Sequence, residues 1–249
     1  MSLQAVSNYG KECPVCHGTG WEFEKRDIPG YGVGHPFAKP CTSCKGKRRT
    51  MDLTGVPSRY RDTDLSKFKF NAYSENMEKF EKIMWQYFEN FESVGRGLYL
   101  WSRTPGTGKT FLSCCLGKSI MMRYDLRMRF VTVPNYLALV GESYKRQQGS
   151  HDESQIYREC ELLIFDDFGK QKSGEWQQQE IFRIIDERAN TGKRTFFTSN
   201  VLLEQLDVDE ATKSRIENVS LIFQMPEESI RHKNAAAKQA EIVNRLLEG

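Results

Sequence analysis

Residues 104–110 read TPGTGKT, two glycines around a threonine followed by lysine and a second threonine. These are the residue types that wrap a main chain around phosphate oxygens. Gly106 and Gly108 let the backbone curl so that successive N–H groups, reinforced by the N-terminus of a following helix, point at one anion. Lys109 supplies a cation for the β and γ phosphates, and Thr110 a hydroxyl for Mg²⁺. Thr104, Pro105, Thr107 and Phe111 complete the run that would line a nucleotide. The run departs from GxxxxGK[ST] at its first position, where Arg103 replaces glycine. The phosphate donors are the amides of 106–110, downstream of that change. Arg103 is therefore expected to permit binding and to act on loop closure or on the rate of hydrolysis.

A nucleotide site of this kind needs a second, acidic strand. LLIFDDFG at 162–169 has that form, an apolar run leading into Asp166 and Asp167. Asp166 would hold Mg²⁺ through water, and Asp167 would polarise the attacking water. Paired carboxylates also end buried strands merely where a chain exits to solvent, and the phosphate loop upstream favours the chemical reading. RTFFTSN at 194–200 ends a further apolar run in Thr198, Ser199 and Asn200. The carboxyl edge of a parallel sheet is where a ligand is held, which places Asn200 to orient a water. Arg215 in ATKSRIENVS and Arg231 in EESIRHK follow. A lone arginine on a helix is usually a solvated charge, but their order after these strands suits a γ-phosphate role.

The elements that must carry these residues are legible as alternation. LYLWS, RFVTV, LLIFD, RTFFTS and SLIFQ are short apolar runs separated by segments long enough for a helical crossover. That pattern predicts an α/β fold with a central parallel five-stranded sheet. Ahead of it, Met77, Phe80, Met84, Tyr87, Phe88 and Phe91 form one stripe of a helix predicted from an N-cap at Ser74 to Ser93, a stripe that suits core packing. A terminal helix is predicted over 227–247. Residues 51–72 mix turn residues, charges and isolated aromatics and read as an ordered connector between a module at 1–50 and an ATPase core at 73–249.

Cys13 and Cys16 form one CxxC pair and Cys41 and Cys44 a second, each followed by glycine. Four thiolates in two such knuckles suit a structural, tetrahedral Zn²⁺, with His17 or His35 able to replace one ligand. CxxCH at 13–17 also spells a haem c attachment site, and CxxC a redox dithiol, but neither explains the second pair. So short a module buries little core, and metal binding would supply most of its folding energy, on the order of 10 kcal/mol. Cys114, Cys115 and Cys160 lie in apolar surroundings and read as small core residues.

The 249-residue chain carries a net charge of +3. That is too mild to demand a nucleic-acid partner, although Lys45, Lys47, Arg48, Arg49, Arg59 and Arg61 cluster. No run of 18 apolar residues and no N-terminal secretory pattern occurs, so the expected location is cytoplasmic.

Taken together, TGVPSRYRDTDLSKF, PGTGKTFLS, LLIFDDFG, RTFFTSN and the pair Arg215 and Arg231 resemble the helicase-loader branch of the AAA+ ATPases, the DnaC and DnaI family, with the transposition ATPase IstB as a near relative. The resemblance implies an AAA+ P-loop core binding ATP or ADP with Mg²⁺. It makes Lys109, Asp166 and Asp167 catalytic, Asn200 sensor 1, Arg215 an arginine finger offered to a neighbouring subunit, and Arg231 sensor 2. Lys213 and Arg194 compete for the finger. It further implies slow ATP hydrolysis stimulated by DNA or a partner, self-association through the ATPase domain, and delivery of a DnaB-type hexameric replicative helicase to single-stranded DNA. DnaI-type loaders hold the helicase through a zinc-bearing N-terminal domain, whereas CPVCHGTG here is similar to the DnaJ-type CxxCxGxG knuckle. The alternatives are an IstB-like transposition ATPase, an ATP-gated adaptor with little hydrolysis, and a zinc-dependent nucleic-acid module.

Overall fold

The computed structural model describes residue 15 and residues 21–28, 32–40, 54–145, 154–169 and 174–248. The chain forms two compact units, Met1–Asp62 and Thr63–Gly249. In the first, β1 (Trp21–Ile28) and β2 (Gly32–Pro40) make an antiparallel hairpin with Trp21 opposite Pro40. Cys13, Cys16, Cys41 and Cys44 lie outside the described residues.

The second unit is built on β3 (Gly97–Trp101), β4 (Met128–Thr132), β5 (Leu162–Phe168), β6 (Arg194–Ser199) and β7 (Ser220–Gln224). All pairings are parallel, in the order β4-β5-β6-β3-β7. The five apolar runs thus become the five strands of one sheet. β3, most of β5 and most of β6 are buried along their length, as strands covered on both faces must be. Leu98, Leu100, Leu163, Phe165, Phe196 and Phe197 are fully buried, so the sheet is itself the centre of the core.

The helices are α1 (Glu78–Glu89), α2 (Phe91–Val94), α3 (Lys109–Tyr124), α4 (Val133–Lys145), α5 (Gln155–Glu159), α6 (Glu175–Asn190), α7 (Glu210–Val219) and α8 (Ile230–Glu248). α1 buries Met84, Tyr87 and Phe88 of the predicted stripe, with the Tyr87 ring 5.9 Å from that of Phe196 in β6. Its start differs from expectation. Ser74 is not the N-cap: its N–H and Oγ donate to the Glu228 carboxylate at 2.7 and 3.0 Å, and the helix opens only at Glu78, whose N–H is taken by Asn76 Oδ1 at 2.8 Å. The helix also breaks at Asn90, whose side-chain amide donates to Gln86 O at 2.9 Å and competes with the helical pattern.

The buried cysteines are core residues. Burial pushes the Cys115 thiol up to about 12, far from a reactive thiolate at neutral pH, and also raises Cys160. Among the described residues, no helix is long and apolar enough to cross a membrane.

Candidate active site

The loop between β3 and α3 contains the required left-handed turns. Gly106 has φ +80° and Gly108 φ +94°. A Cβ on Gly106 would lie 2.7 Å from Ser229 Oγ and 2.9 Å from Arg231 Cβ; one on Gly108 would lie 2.7 Å from the Tyr73 hydroxyl. Glycine is thus needed twice over at both positions. Arg103 is absent from the positive-φ residues, so the missing first glycine is not a conformational necessity. Its N–H and that of Thr104 donate to the two oxygens of Glu227 at 2.8 and 2.7 Å.

Lys109 opens α3 and is only 7% exposed. Its ammonium donates to Ser102 Oγ at 2.7 Å, to Thr104 O at 3.2 Å and to Thr107 Oγ1 at 3.3 Å. Oxygens of the loop itself thus hold the cation. Ser102, the residue just past β3, was invisible as a site residue because a serine after a strand carries no distinctive spacing. Phe68 of the connector and Tyr73 just after it close the other side. Tyr73 donates to Thr107 O at 2.6 Å, and the Phe68 ring stacks on Tyr73 and lies 5.8 Å from Phe111 at the start of α3. Burial, with the Glu228 charge second, raises the Tyr73 phenol above its ordinary range, so it stays a donor.

The acidic strand meets the loop directly. Thr110 donates through Oγ1 to Asp166 Oδ1 at 2.8 Å, and Thr198 donates to the same oxygen at 2.5 Å. β5 bulges here: Phe165 pairs with Phe197 and Phe168 with Ser199, so Asp166 and Asp167 together oppose Thr198. Such bulges re-aim side chains next to active sites. Asp167 takes φ +58°, and its N–H donates to Thr198 Oγ1 at 3.2 Å. Thr198 is thus the hinge pin of the bulge. In the sequence it was a polar strand end and no more.

Asn200 follows β6 directly and is half-buried; the Ser102 N–H donates to Ser199 O at 3.3 Å, joining the end of that strand to the loop. Arg231 stands in the first turn of α8, its N–H donating to Gly106 O at 3.2 Å, its side chain exposed. Arg215 on α7 pairs not with a loop residue but with Asp186 on α6, at 2.5 Å. Of its two competitors, Lys213 pairs with Glu210 at 2.8 Å, and Arg194 donates to Glu92 O at 3.0 Å over the Phe91 ring.

The donors fit Mg²⁺. A hydroxyl and a carboxylate are hard oxygen ligands, and Mg²⁺ is usually held by one or two carboxylates plus substrate phosphates and water. Among the described residues, no group of three or more His, Cys, Asp or Glu could hold a metal ion.

A parallel five-stranded sheet in which β6 separates the phosphate-loop strand from the acidic strand, with the loop closed by a hydroxyl–carboxylate pair, defines an AAA+ P-loop fold. Residues 86–237 match the family described as IstB-like ATP binding protein. The chain belongs to that ATP-binding family. It is similar to the replicative helicase loader DnaC of Escherichia coli (strain K12), 21% identical over 161 residues, and the match spans 64% of each chain. Among solved structures it resembles the DnaC helicase loader (TM-score 0.59, 21% identity, 68% of this chain and 100% of that one). It likewise resembles DnaI (TM-score 0.57, 20% identity, 73% and 98%) and AMPPCP-bound DnaA from Aquifex aeolicus (TM-score 0.58, 21% identity, 75% and 56%). At these identities the structures show the fold.

Proposed function

We propose that the protein is an ATP-dependent loader that binds a DnaB-type replicative helicase and places it on single-stranded DNA. The observation that carries the ATPase reading is the convergence of Thr110 and Thr198 on one buried oxygen of Asp166. Lys109 would neutralise the β and γ phosphates, the amides of 106–110 would cradle them, and Thr104, Pro105, Thr107 and Phe111 would line the nucleotide. Thr110 and Asp166 would hold Mg²⁺, which when bound offsets charge on the phosphate oxygens. Asp167 would polarise the attacking water and Asn200 orient it. Arg231 would read the γ-phosphate from α8, and Arg215 would leave Asp186 to reach the nucleotide of a neighbouring copy, so that self-association completes the site.

Residues 1–50 are proposed as the zinc-bearing helicase contact, 51–72 as the connector and 73–249 as the ATPase domain, acting in the cytosol. What supports the first assignment is the hairpin: Trp21, five positions after Cys16 in sequence, pairs with Pro40, the residue before Cys41. Four thiolates brought together would close a tetrahedral shell.

Co-purification of the full chain with the DnaB-type helicase in the presence of ATP tests the reading, together with one zinc per chain that is lost in Cys41→Ser. Retention of a transposase in place of the helicase would replace it with an IstB-like role, which the family match favours as second reading. ATP binding with no single-turnover hydrolysis, with or without single-stranded DNA, would reduce the protein to an ATP-gated adaptor.

A further inference from the structure

Three parts of the ATPase unit meet at two neighbouring carboxylates just ahead of α8. Glu227 takes one main-chain donor on each oxygen, Arg103 N–H at 2.8 Å and Thr104 N–H at 2.7 Å. Glu228 takes the N–H and hydroxyl of Ser74 and pairs with Lys233 of α8. One turn later, the Arg231 N–H reaches Gly106 O at 3.2 Å, and the Arg231 Cβ leaves no room for a side chain at position 106. The segment 227–231 is therefore fastened to the opening of the phosphate loop and again to its centre.

Glu227 is an improbable residue to find there by chance. A carboxylate beside an anion-binding loop opposes the anion by like charge, so its presence calls for an opposing advantage. The amides it holds are the two that precede the phosphate donors. Burial pushes its carboxyl up, but hydrogen bonds from Thr104, from the Arg103 and Thr104 amides and from Gln224 outweigh that and hold it below the usual carboxylate range. It remains charged and bonded at neutral pH.

We propose that Glu227 is a positioning residue that locks the opening of the phosphate loop to the first turn of α8, so that the shape of the loop sets the placement of Arg231. The inference rests on the reading of 104–110 as an ATP loop and of Arg231 as the residue that reads the γ-phosphate. It requires energetic coupling between Glu227 and Arg231 beyond any hydrogen bond or ion pair between their side chains. It also accounts for the tolerated arginine at 103: the loop opening is fixed by a carboxylate acting on main-chain amides, which every residue type except proline supplies.

The test is a double-mutant cycle on the full chain, reading the affinity ratio of ATPγS to ADP by titration calorimetry. Arg231→Ala lowers the ratio, Glu227→Ala lowers it by about tenfold, and the double variant is no lower than Arg231→Ala alone, because the second change has nothing left to misplace. Glu227→Gln keeps the shape and one acceptor oxygen; a lowered ratio at an unchanged apo melting temperature separates positioning from general loss of structure. A wild-type ratio in Glu227→Ala, or losses that simply multiply in the double variant, overturns the coupling and leaves the nucleotide reading intact. Failure of the wild-type chain to bind either nucleotide overturns the reading beneath it. An unchanged ratio in Arg231→Ala removes Arg231 as the sensor, and the proposed coupling with it.

Discussion

Thr198 and Asp166 share the shortest hydroxyl–carboxylate contact of the site, 2.5 Å, and the same Thr198 oxygen accepts the amide of Asp167. One side chain on β6 therefore holds both acidic residues of β5 in place.

Thr198→Val keeps the shape of the strand and deletes both bonds. Hydrogen bonds to a charged group contribute about 1.5–3 kcal/mol, so hydrolysis should fall by roughly 10- to 100-fold with a stability loss of similar energy. Thr198→Ser should recover most of both. Steady-state turnover and thermal melting of the three proteins check this; an active valine variant would show that the bulge holds itself.

Gly108→Ala combines a left-handed backbone with a Cβ placed 2.7 Å from the Tyr73 hydroxyl. The backbone strain alone is about 1–3 kcal/mol, and nucleotide binding should be lost. Tyr73→Phe removes the oxygen in the way, so the double variant should regain part of the stability but keep the strained turn. Denaturant midpoints measure the difference.

Arg103→Gly should bind ATP within about twofold of wild type, since the Glu227 bonds use main-chain donors and the position needs no special φ. The added chain freedom should lower stability by about 0.4–1 kcal/mol. A large gain in affinity or turnover would mean that the arginine obstructs the site.

Arg215→Ala should leave ATP binding unchanged and cut partner- or DNA-stimulated hydrolysis by about 10³-fold or more, as loss of a trans arginine does. Asp186→Asn, which frees that arginine, should change stability by less than about 1 kcal/mol because the pair is partly solvated. Its stimulated rate should equal or exceed wild type. A fall in that rate would make the ion pair part of the active arrangement.

The Glu228 tie between Ser74 and Lys233 of α8 should resist acid. Lys233 and then the Ser74 amide hold its carboxyl down to about 2. A depressed carboxylate contributes stability that is fully present above the unfolded value near pH 4.3 and is lost as pH falls through the folded one. Its carboxyl carbon shift in NMR should therefore titrate well below pH 4, and Lys233→Ala should move the midpoint up.

The strands and the phosphate loop were legible because each is local: an apolar run of strand length, or glycines at fixed offsets before a lysine. Asp166 was legible for the same reason. Ser102, Thr198 and Glu227 were not, because each acts through a partner distant in the chain, and a serine, threonine or glutamate alone carries no spacing. Ser74 failed in the opposite way. It has the local signature of a helix cap, yet a glutamate far along the chain, Glu228, claims its amide and hydroxyl.

The left-handed backbone at position 167 also bears on which acid can stand there. A backbone at φ +58° is a conformation that aspartate and asparagine enter several times more readily than most other residues. Glutamate would meet an intrinsic backbone penalty of about 1–2 kcal/mol there. The identity of the second acid is thus chosen by the turn of the chain beneath it, before any water or phosphate is considered.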